Sequence, residues 1–131
     1  MIDSLVAVRS ILRADATVNS IVSDRIWINE AVQNAETTSI VIRLISGSSE
    51  YTHQGNEDYP RDIARVFCRS KDLETLNDLS HATKSALDGY AGTVDGVVVD
   101  RIFQRNRNGD YDDRTEIKRV IQDFEVRWRD S

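Results

Sequence analysis

The spacing of apolar residues predicts two helical stretches at the start of the chain. Leu5, Val8 and Leu12 recur at the i, i+3, i+7 spacing of an amphipathic helix, which Asp3 can cap. Asp15 can cap a second, shorter helical stretch that carries the next apolar residues. We therefore expect two adjacent helices before any strand.

Three stretches in the first half of the chain are predicted to be strands. They cover residues 26–28, 38–45 and 61–69. In the second stretch, apolar residues at alternate positions indicate a buried face. These are Ile40, Ile42 and Leu44.

Residues 46–60 separate the second and third of these strands. They combine Gly47 and Gly55 with the only proline, Pro60, and show no apolar periodicity. Long loops in compact domains are often functional. We therefore expect an exposed segment that becomes ordered against a partner.

A long helix follows, with its start at Ser70 or Asp72 and its end at Gly89. Its predicted buried stripe has the 3.6-residue period of an amphipathic helix. The stripe comprises Leu73, Leu76, Leu79, Thr83, Ala86 and Leu87.

Two long strands, Val94 to Arg105 and Ile117 to Trp128, close the chain and flank a polar loop. The last strand separates two kinds of side chain between its two faces. The predicted core face carries Val120, Phe124, Val126 and Trp128, with Gln122 among them. The other face carries Arg119, Asp123, Glu125, Arg127 and Arg129.

The predicted order is helix, short helix, three strands, helix and two strands, in a single domain spanning residues 1–131. Consecutive strands with short connections favour an α+β fold with a mostly antiparallel sheet and two amphipathic helices packed on one face. The opposite face is too charged for a second core layer, so we expect it to meet water or neighbouring subunits. Its candidate residues are Arg43, Arg65, Arg101, Arg119 and Arg127.

Composition supports a folded soluble domain, with 40% hydrophobic and 30% charged residues. No apolar run is long enough to cross a membrane. Asp3, Arg9 and Arg13 interrupt the apolar start, so we expect no signal peptide. Cys68 is the only cysteine, which rules out an internal disulfide and favours a small buried side chain in a strand.

No residue pattern indicates a catalytic, cofactor-binding or metal site. His53 and His81 have no partner at a ligand or triad spacing. The acidic run from Asp110 to Glu116 does not match a calcium loop, because it lacks the EF-hand pattern of ligands and glycine. We therefore expect neither an enzyme nor a bound cofactor.

A nucleic-acid-binding module is an alternative that the basic residues of the last third leave open. Phe103 and Tyr111 lie among these residues, an arrangement that occurs in single-strand binding surfaces. The basic residues are Arg101, Arg105, Arg107, Arg114, Lys118 and Arg119. The net charge of -5 opposes broad contact with a phosphate backbone, and salt bridges between subunits are the simpler use for these side chains.

The order of short motifs in the last third resembles that of the tail-completion, or tail-terminator, proteins of long-tailed bacteriophages and gene-transfer particles. The motifs are GTVDGV at 92–97, DYD at 110–112, Thr115, Arg119 and DFEV at 123–126. The resemblance extends more loosely over nearly the whole chain. It implies a structural virion protein that forms a ring, six-fold in this family, and is not catalytic.

The same resemblance implies where the ring would act. It would cap the finished tail tube and join it to the head-tail connector or another neck protein, so its partners would be further copies of itself, the tail tube protein and that connector. DNA would pass through its channel without specific binding, and no membrane would be involved. The expected location is the tail-neck junction of the virion, after assembly in the host cytoplasm.

Eight residues are candidates for contacts with a neighbouring subunit or another partner. They are Tyr51, His53, Asp110, Tyr111, Asp112, Arg114, Thr115 and Arg119. Most lie in the two polar segments 46–60 and 105–116. An alternative role within the same class is another neck component, such as a head-completion protein.

Overall fold

The structure is a computed structural model. It describes the backbone of residues 3–29, 38–48, 51–52, 55–56, 61–112 and 117–130. The predicted α+β class is confirmed, with helices on one face of a curled six-stranded sheet. Within the described ranges no helix is long and apolar enough to span a bilayer.

The structure describes three helices, and Asp15 and Asp72 cap two of them as predicted. The helices are α1 (Asp3–Ala14), α2 (Ala16–Val22) and α3 (Leu73–Leu87). The Asp15 carboxylate accepts the backbone N–H groups of Thr17 and Val18 at 3.0 Å, and Asp72 accepts that of Thr75 at 3.0 Å. Both aspartates thus bond N–H groups that a helix N-terminus leaves without partners.

The main sheet has the strand order β1-β2-β5-β8-β7-β6. The described strands are β1 (Ile26–Ile28), β2 (Ser39–Ser48), β3 (Tyr51–Thr52), β4 (Gly55–Asn56), β5 (Arg61–Ser70), β6 (Gly92–Val94), β7 (Val97–Asp112) and β8 (Ile117–Asp130). The sheet is mixed rather than purely antiparallel, because β1 runs parallel to β2 while the other pairs are antiparallel.

The prediction of a polar loop between residues 105 and 117 was wrong for most of its length. Strand β7 continues to Asp112 and pairs with β8 as far as Ile117. Hydrogen bonds between backbones hold this extension, and they do not depend on apolar side chains. A β-bulge between Gln104 and Asn106 shifts the register, which changes the side on which the later residues lie.

The structure also divides the first predicted closing strand in two. Asp95 and Gly96 have φ values of +51° and +79° and form the tight turn of a hairpin between β6 and β7. Two consecutive positive φ values match the turns that connect twisted antiparallel strands, and an Asp-Gly pair is a common sequence for them. This turn was visible in the sequence but was not predicted.

The predicted long loop at residues 46–60 also contains regular backbone. Ser48 still pairs with Arg61, so β2 extends beyond its expected end at residue 45, while β5 begins at residue 61 as predicted. The short strands β3 and β4 pair with each other inside this segment. Backbone pairing again continues past the last apolar side chain.

The core lies between the helices and the inner face of the sheet. The predicted residues Leu5, Val8, Ile40 and Ile42 are fully buried there, as are Phe124 and Val126 on β8. Val120 and Trp128 are half-buried and pack against this cluster. The predicted orientation of β8 is therefore confirmed.

Leu73 departs from the predicted division into core and surface, whereas Gln122 lies on the inner face as predicted. Leu73 is 65% exposed, because the first residue of α3 lies beyond the part of the helix that covers the sheet. Gln122 is completely buried on the inner face. Its amide donates to the Ser80 carbonyl at 3.1 Å and accepts from Gln104 at 2.6 Å, so its polar groups are paired.

Candidate subunit interface

The outer face of the sheet, opposite the helices, carries the charged residues. The alternation along β5 directs Ala64, Val66 and Cys68 into the core. Consequently Arg65 and Phe67 lie on the outer face, beside β2 and β8. This face is the candidate interface, because no described helix covers it.

Phe67 lies at the centre of a group of arginines. The guanidinium carbons of Arg43 and Arg119 lie 5.2 and 5.5 Å from the centre of its ring, within the range of cation–π contacts. Arg69 pairs in register with Arg119 on the neighbouring strand. We call Arg43, Phe67, Arg69 and Arg119 the arginine cluster.

Arg69 is half-buried within this cluster, as are Phe67 and Arg119. The pKa of Arg69 is lowered, chiefly because burial disfavours the charged guanidinium and further because Arg119 and Arg43 are close to it. Arg43 and Arg119 thus lie over the Phe67 ring, and Arg69 lies next to Arg119 on the neighbouring strand.

Elsewhere on the outer face, acidic side chains neutralise the arginines. Arg65 donates to both carboxylate oxygens of Asp123, at 2.8 and 3.1 Å. This two-point geometry is a strong form of charge-assisted hydrogen bond. The bond to Asp123 raises the pKa of Arg65.

Glu125 holds two further arginines. Its carboxylate accepts from Arg105 at 2.6 Å and from Arg127 at 2.9 Å, and its side chain is only 6% exposed. The hydrogen bond from Arg127 lowers the pKa of Glu125, with further lowering by the nearby positive charges. Phe103 lies between the guanidinium groups of Arg101 and Arg127, at 5.2 and 5.6 Å.

These pairs weaken the alternative of a nucleic-acid surface in the last third. Arg105, one of the basic residues on which that alternative rested, is engaged by Glu125, as is the neighbouring Arg127. Such neutralised groups release fewer counterions when they meet a phosphate backbone.

The eight predicted contact residues fall into separate places. Asp110, Tyr111 and Asp112 are at the end of β7, opposite Arg119, Lys118 and Ile117 of β8. Tyr51 is in β3, opposite Asn56. His53, Arg114 and Thr115 lie outside the described residues.

The two predicted contact segments leave opposite ends of the sheet. The end of β2 pairs with the start of β5, which pairs with β8 at Arg127, whereas β8 begins at Ile117 on the side of β7. At the usual rise per residue of a β-strand, Ile117 and Arg127 lie about 33 Å apart along β8. The structure therefore brings Asp110 beside Arg119 and separates both from Tyr51.

Phe67 and Arg69 were not predicted as part of this surface. The alternation of Ile63, Arg65, Phe67 and Arg69 on one side of β5 was the signal that could have identified them. Only the pairing of β5 with both β2 and β8 gives Phe67 its arginines from two strands.

On the helical side, a shallow groove of about 500 Å³ separates α2 from α3. Asp15, Asp78 and His81 line it together with hydroxyl groups. Asp15 is already used as a helix cap. Among the residues that the structure describes, no group of three side chains could hold a metal ion.

Comparisons with known proteins agree with the resemblance. Residues 6–129 match the family described as tail completion protein gp17. The fold is similar to that of a chain in the solved structure of the virion of a native gene transfer agent particle, with a TM-score of 0.75 and 15% identity. That similarity covers 95% of this chain and 92% of the other.

No curated protein matches the chain. The family match nevertheless includes α2, α3, all but the first three residues of α1, and every strand of the main sheet except the last residue of β8. The chain therefore belongs to the tail completion protein gp17 family and is a structural protein of a phage-type tail.

Proposed function

We propose that this protein forms a six-fold ring that caps the completed tail tube and joins it to the head-tail connector. The observation that carries the proposal is the one-sided sheet: helices cover one face, while the other presents arginines and half-buried aromatic rings. A subunit with two different faces suits head-to-tail contacts, which close into a ring when the rotation between copies permits.

The positions of the two polar segments support contacts in two directions. Residues 46–60, which include Tyr51 and His53, leave the end of the sheet near Arg127. Residues 110–116, which include Arg114 and Thr115, leave the opposite end beside Arg119. One segment would then face the tail tube protein and the other the connector or a neighbouring copy.

The charge of the chain suits a channel for DNA. With 22 acidic and 17 basic residues, the protein carries a net charge of -5. A surplus of negative charge repels a phosphate backbone, so DNA would pass through without being held. The role is structural, at the tail-neck junction, after assembly in the host cytoplasm.

Mass photometry of the purified protein, with and without tail tubes that lack their cap, tests this proposal. We expect a six-fold ring, either free or at tube ends, and electron microscopy would locate it there. A protein that stays monomeric and never binds tube ends would contradict the proposal. Preferential binding to filled heads would identify a head-completion protein instead.

The nucleic-acid alternative needs a separate measurement. Fluorescence anisotropy with labelled DNA at low salt would detect binding, and Arg105→Ala with Arg107→Ala would abolish it if the last third carries the surface. We expect no salt-dependent binding, since Glu125 already engages Arg105.

A further inference from the structure

Strand β7 has an edge that the described strands pair with only in part. Strand β6 pairs with β7 from Val97 to Val99, and the segment 88–90 hydrogen-bonds β7 as far as Gln104. From Arg105 to Gly109, no described strand pairs with this edge, and every residue is exposed. We call Arg105–Gly109 the free edge of β7.

The backbone groups of Arg107 and Gly109 point away from β8. Before the β-bulge, the backbone of Ile102 and the N–H of Gln104 bond to the segment 88–90 and thus face away from β8. Hydrogen bonding alternates along an antiparallel strand, and the bulge shifts this alternation by one residue. Arg107 and Gly109 therefore face outward after the bulge.

The N–H of Arg107 donates to a side chain rather than to a strand. Its acceptor is the side-chain carbonyl of Asn106, at 2.9 Å. A row of outward-facing backbone groups is a template for a further strand. A carbonyl of such a strand would take the place of the exposed Asn106 side chain.

Strand β1 forms one edge of the main sheet and lies level with the free edge of β7. Among the described strands, β2 alone pairs with β1. Strand pairing connects the two edges in rows that cross the sheet. One row comprises Trp27, Val41, Phe67, Ile121 and Asn108. The next row comprises Ile28, Ile42, Val66, Gln122 and Arg107.

Strands β1 and β7 also run in opposite directions. Strand β1 is parallel to β2, and the three successive pairs from β2 to β7 are antiparallel. Rotation about an axis parallel to the strands preserves the level and the direction of each strand. In such a ring, β1 of one copy would therefore meet the free edge of β7 of the next copy as its antiparallel neighbour.

We propose that the free edge of β7 pairs with β1 of a neighbouring copy of this chain, so that the sheets of adjacent subunits join. The proposal rests on the proposed ring and identifies one contact within it. Because Trp27 and Asn108 share a row, they would lie directly opposite each other across the contact. Both are on the outer face with Phe67, and the half-buried Trp27 ring would gain cover there.

Strand β6 suits the same partner less well. Thr93 of β6 pairs with Val98, which pairs with Arg129. Arg129 is eight residues beyond Ile121 on β8, or about 27 Å at the usual rise of a strand. Pairing of β6 with β1 would displace each copy along the axis by that distance, so the ring would not close.

Disulfide formation between engineered cysteines tests the pairing. One variant carries Trp27→Cys with Asn108→Cys, and the control carries Trp27→Cys with Thr93→Cys. After mild oxidation, we expect the first variant to form a ladder of linked copies on a non-reducing gel, up to the size of the ring. The control should remain as single chains.

A bond between Trp27→Cys and Asn108→Cys must join two copies. Within one copy the two positions are four strand spacings apart, about 19 Å, which is too far for a disulfide. The native Cys68 is buried and should not compete.

A proline on the free edge provides an independent test. Arg107→Pro removes an N–H that faces away from β8, so β7 should stay folded while the contact between copies is blocked. In mass photometry, we expect assembly to weaken by roughly tenfold to a hundredfold. Arg107→Ala should weaken it less, because it keeps the backbone N–H.

Thr93→Pro is the matched control on the edge of β6. The pair that flanks a two-residue turn exchanges hydrogen bonds, so the next residue, Thr93, directs its N–H away from β7. This variant should assemble as wild type does. Circular dichroism would verify that each variant is folded, and if Arg107→Pro does not fold, the cysteine variants decide.

Three results would overturn the inference while leaving the ring intact. They are normal ring assembly by Arg107→Pro, rings of the Trp27→Cys, Asn108→Cys variant that form no linked copies, and a ladder in the control variant instead. Arg107→Pro rings that no longer bind tube ends would assign the free edge to the tail tube protein. A wild-type protein that forms no ring, even with tail tubes, would overturn the proposed function and this contact with it.

Discussion

The indole N–H of Trp128 donates to a carboxylate oxygen of Asp62 at 3.0 Å, and the Ser4 hydroxyl donates to the same oxygen. The Asp62 side chain is almost completely buried on the core side of β5. These bonds join α1, β5 and β8 around one acid. A buried carboxylate needs such partners, because an unpaired charge in the interior is costly.

Trp128 should stabilise the fold through both its ring and this bond. We expect Trp128→Ala to lower the free energy of unfolding by about 3–5 kcal/mol, as loss of a packed aromatic ring does. Trp128→Phe keeps an apolar ring but removes the donor, and should cost about 1–2 kcal/mol. Urea denaturation followed by circular dichroism measures both changes.

Trp27→Phe is a matched control for these variants, because Trp27 is half-buried on β1 and donates no hydrogen bond to a described residue. Its effect should be smaller than that of Trp128→Phe. An unchanged transition in Trp128→Ala would mean that its ring does not contribute to the core.

Gln122 should be the most sensitive polar residue of the inner face. Replacement by Met keeps a similar shape but leaves the Ser80 carbonyl and the Gln104 amide without their partner. We expect a loss of about 1–3 kcal/mol in the free energy of unfolding. Gln104→Ala should cost less, since Gln104 is half-buried and water can replace it.

A double-mutant cycle would isolate the contact between the two glutamines. The effects of Gln104→Ala and Gln122→Met should fall short of additivity by about 1 kcal/mol, because the second change cannot break a bond already lost. Strict additivity would show that their hydrogen bond contributes nothing to stability.

Cys68 should be inert in the native protein. Complete burial raises the pKa of its thiol to about 11, despite weak hydrogen bonds to Thr83 and Gln122 that act in the opposite direction. Thiolate is the reactive form, so labelling by a disulfide reagent at pH 8 should be slow until urea unfolds the chain. Rapid labelling of the folded protein would contradict this burial.

The same thiol should make stability depend on alkaline pH. Its folded pKa is above its unfolded value, so the stabilising contribution is present at neutral pH and is lost as pH rises from about 9 towards 11. The total loss should be about 3 kcal/mol. Comparison of unfolding midpoints with those of Cys68→Ala, which cannot ionise there, separates this effect from other titrations.

Glu125 should contribute stability that acid removes. Its folded pKa is below its unfolded value, so the contribution is present above about pH 4.3 and is lost as pH falls through the lower folded value. Glu125→Gln should cost about 1–3 kcal/mol at pH 7, because Arg105 and Arg127 lose a charged acceptor.

The pH dependence of unfolding tests whether the charge of Glu125 stabilises the fold. Unfolding midpoints measured from pH 7 to pH 3 should converge for wild type and Glu125→Gln. A constant difference across this range would show that the charge of Glu125 is not what stabilises the fold.

The sequence by itself determined the local elements. The 3.6-residue stripe of α3, the capping aspartates and the alternation along β8 identified the helices and the last strand with their buried faces, because these signals come from residues a few positions apart. The same patterns correctly predicted one charged and one apolar face of the sheet. The order of motifs from GTVDGV at 92–97 to DFEV at 123–126 indicated the family.

Only the tertiary structure decided which strands adjoin and in what register. The length of β7 follows from backbone pairing with β8 and carries no apolar signal beyond the bulge near Asn106. The burial of Gln122 and Asp62 depends on partners about 40 to 60 positions away along the chain. The arginine cluster likewise arises because β5 lies between β2 and β8, which brings Arg43 and Arg119 to one ring. Side chains brought together by strand pairing leave no periodic trace in the sequence, so their contacts cannot be predicted from local patterns.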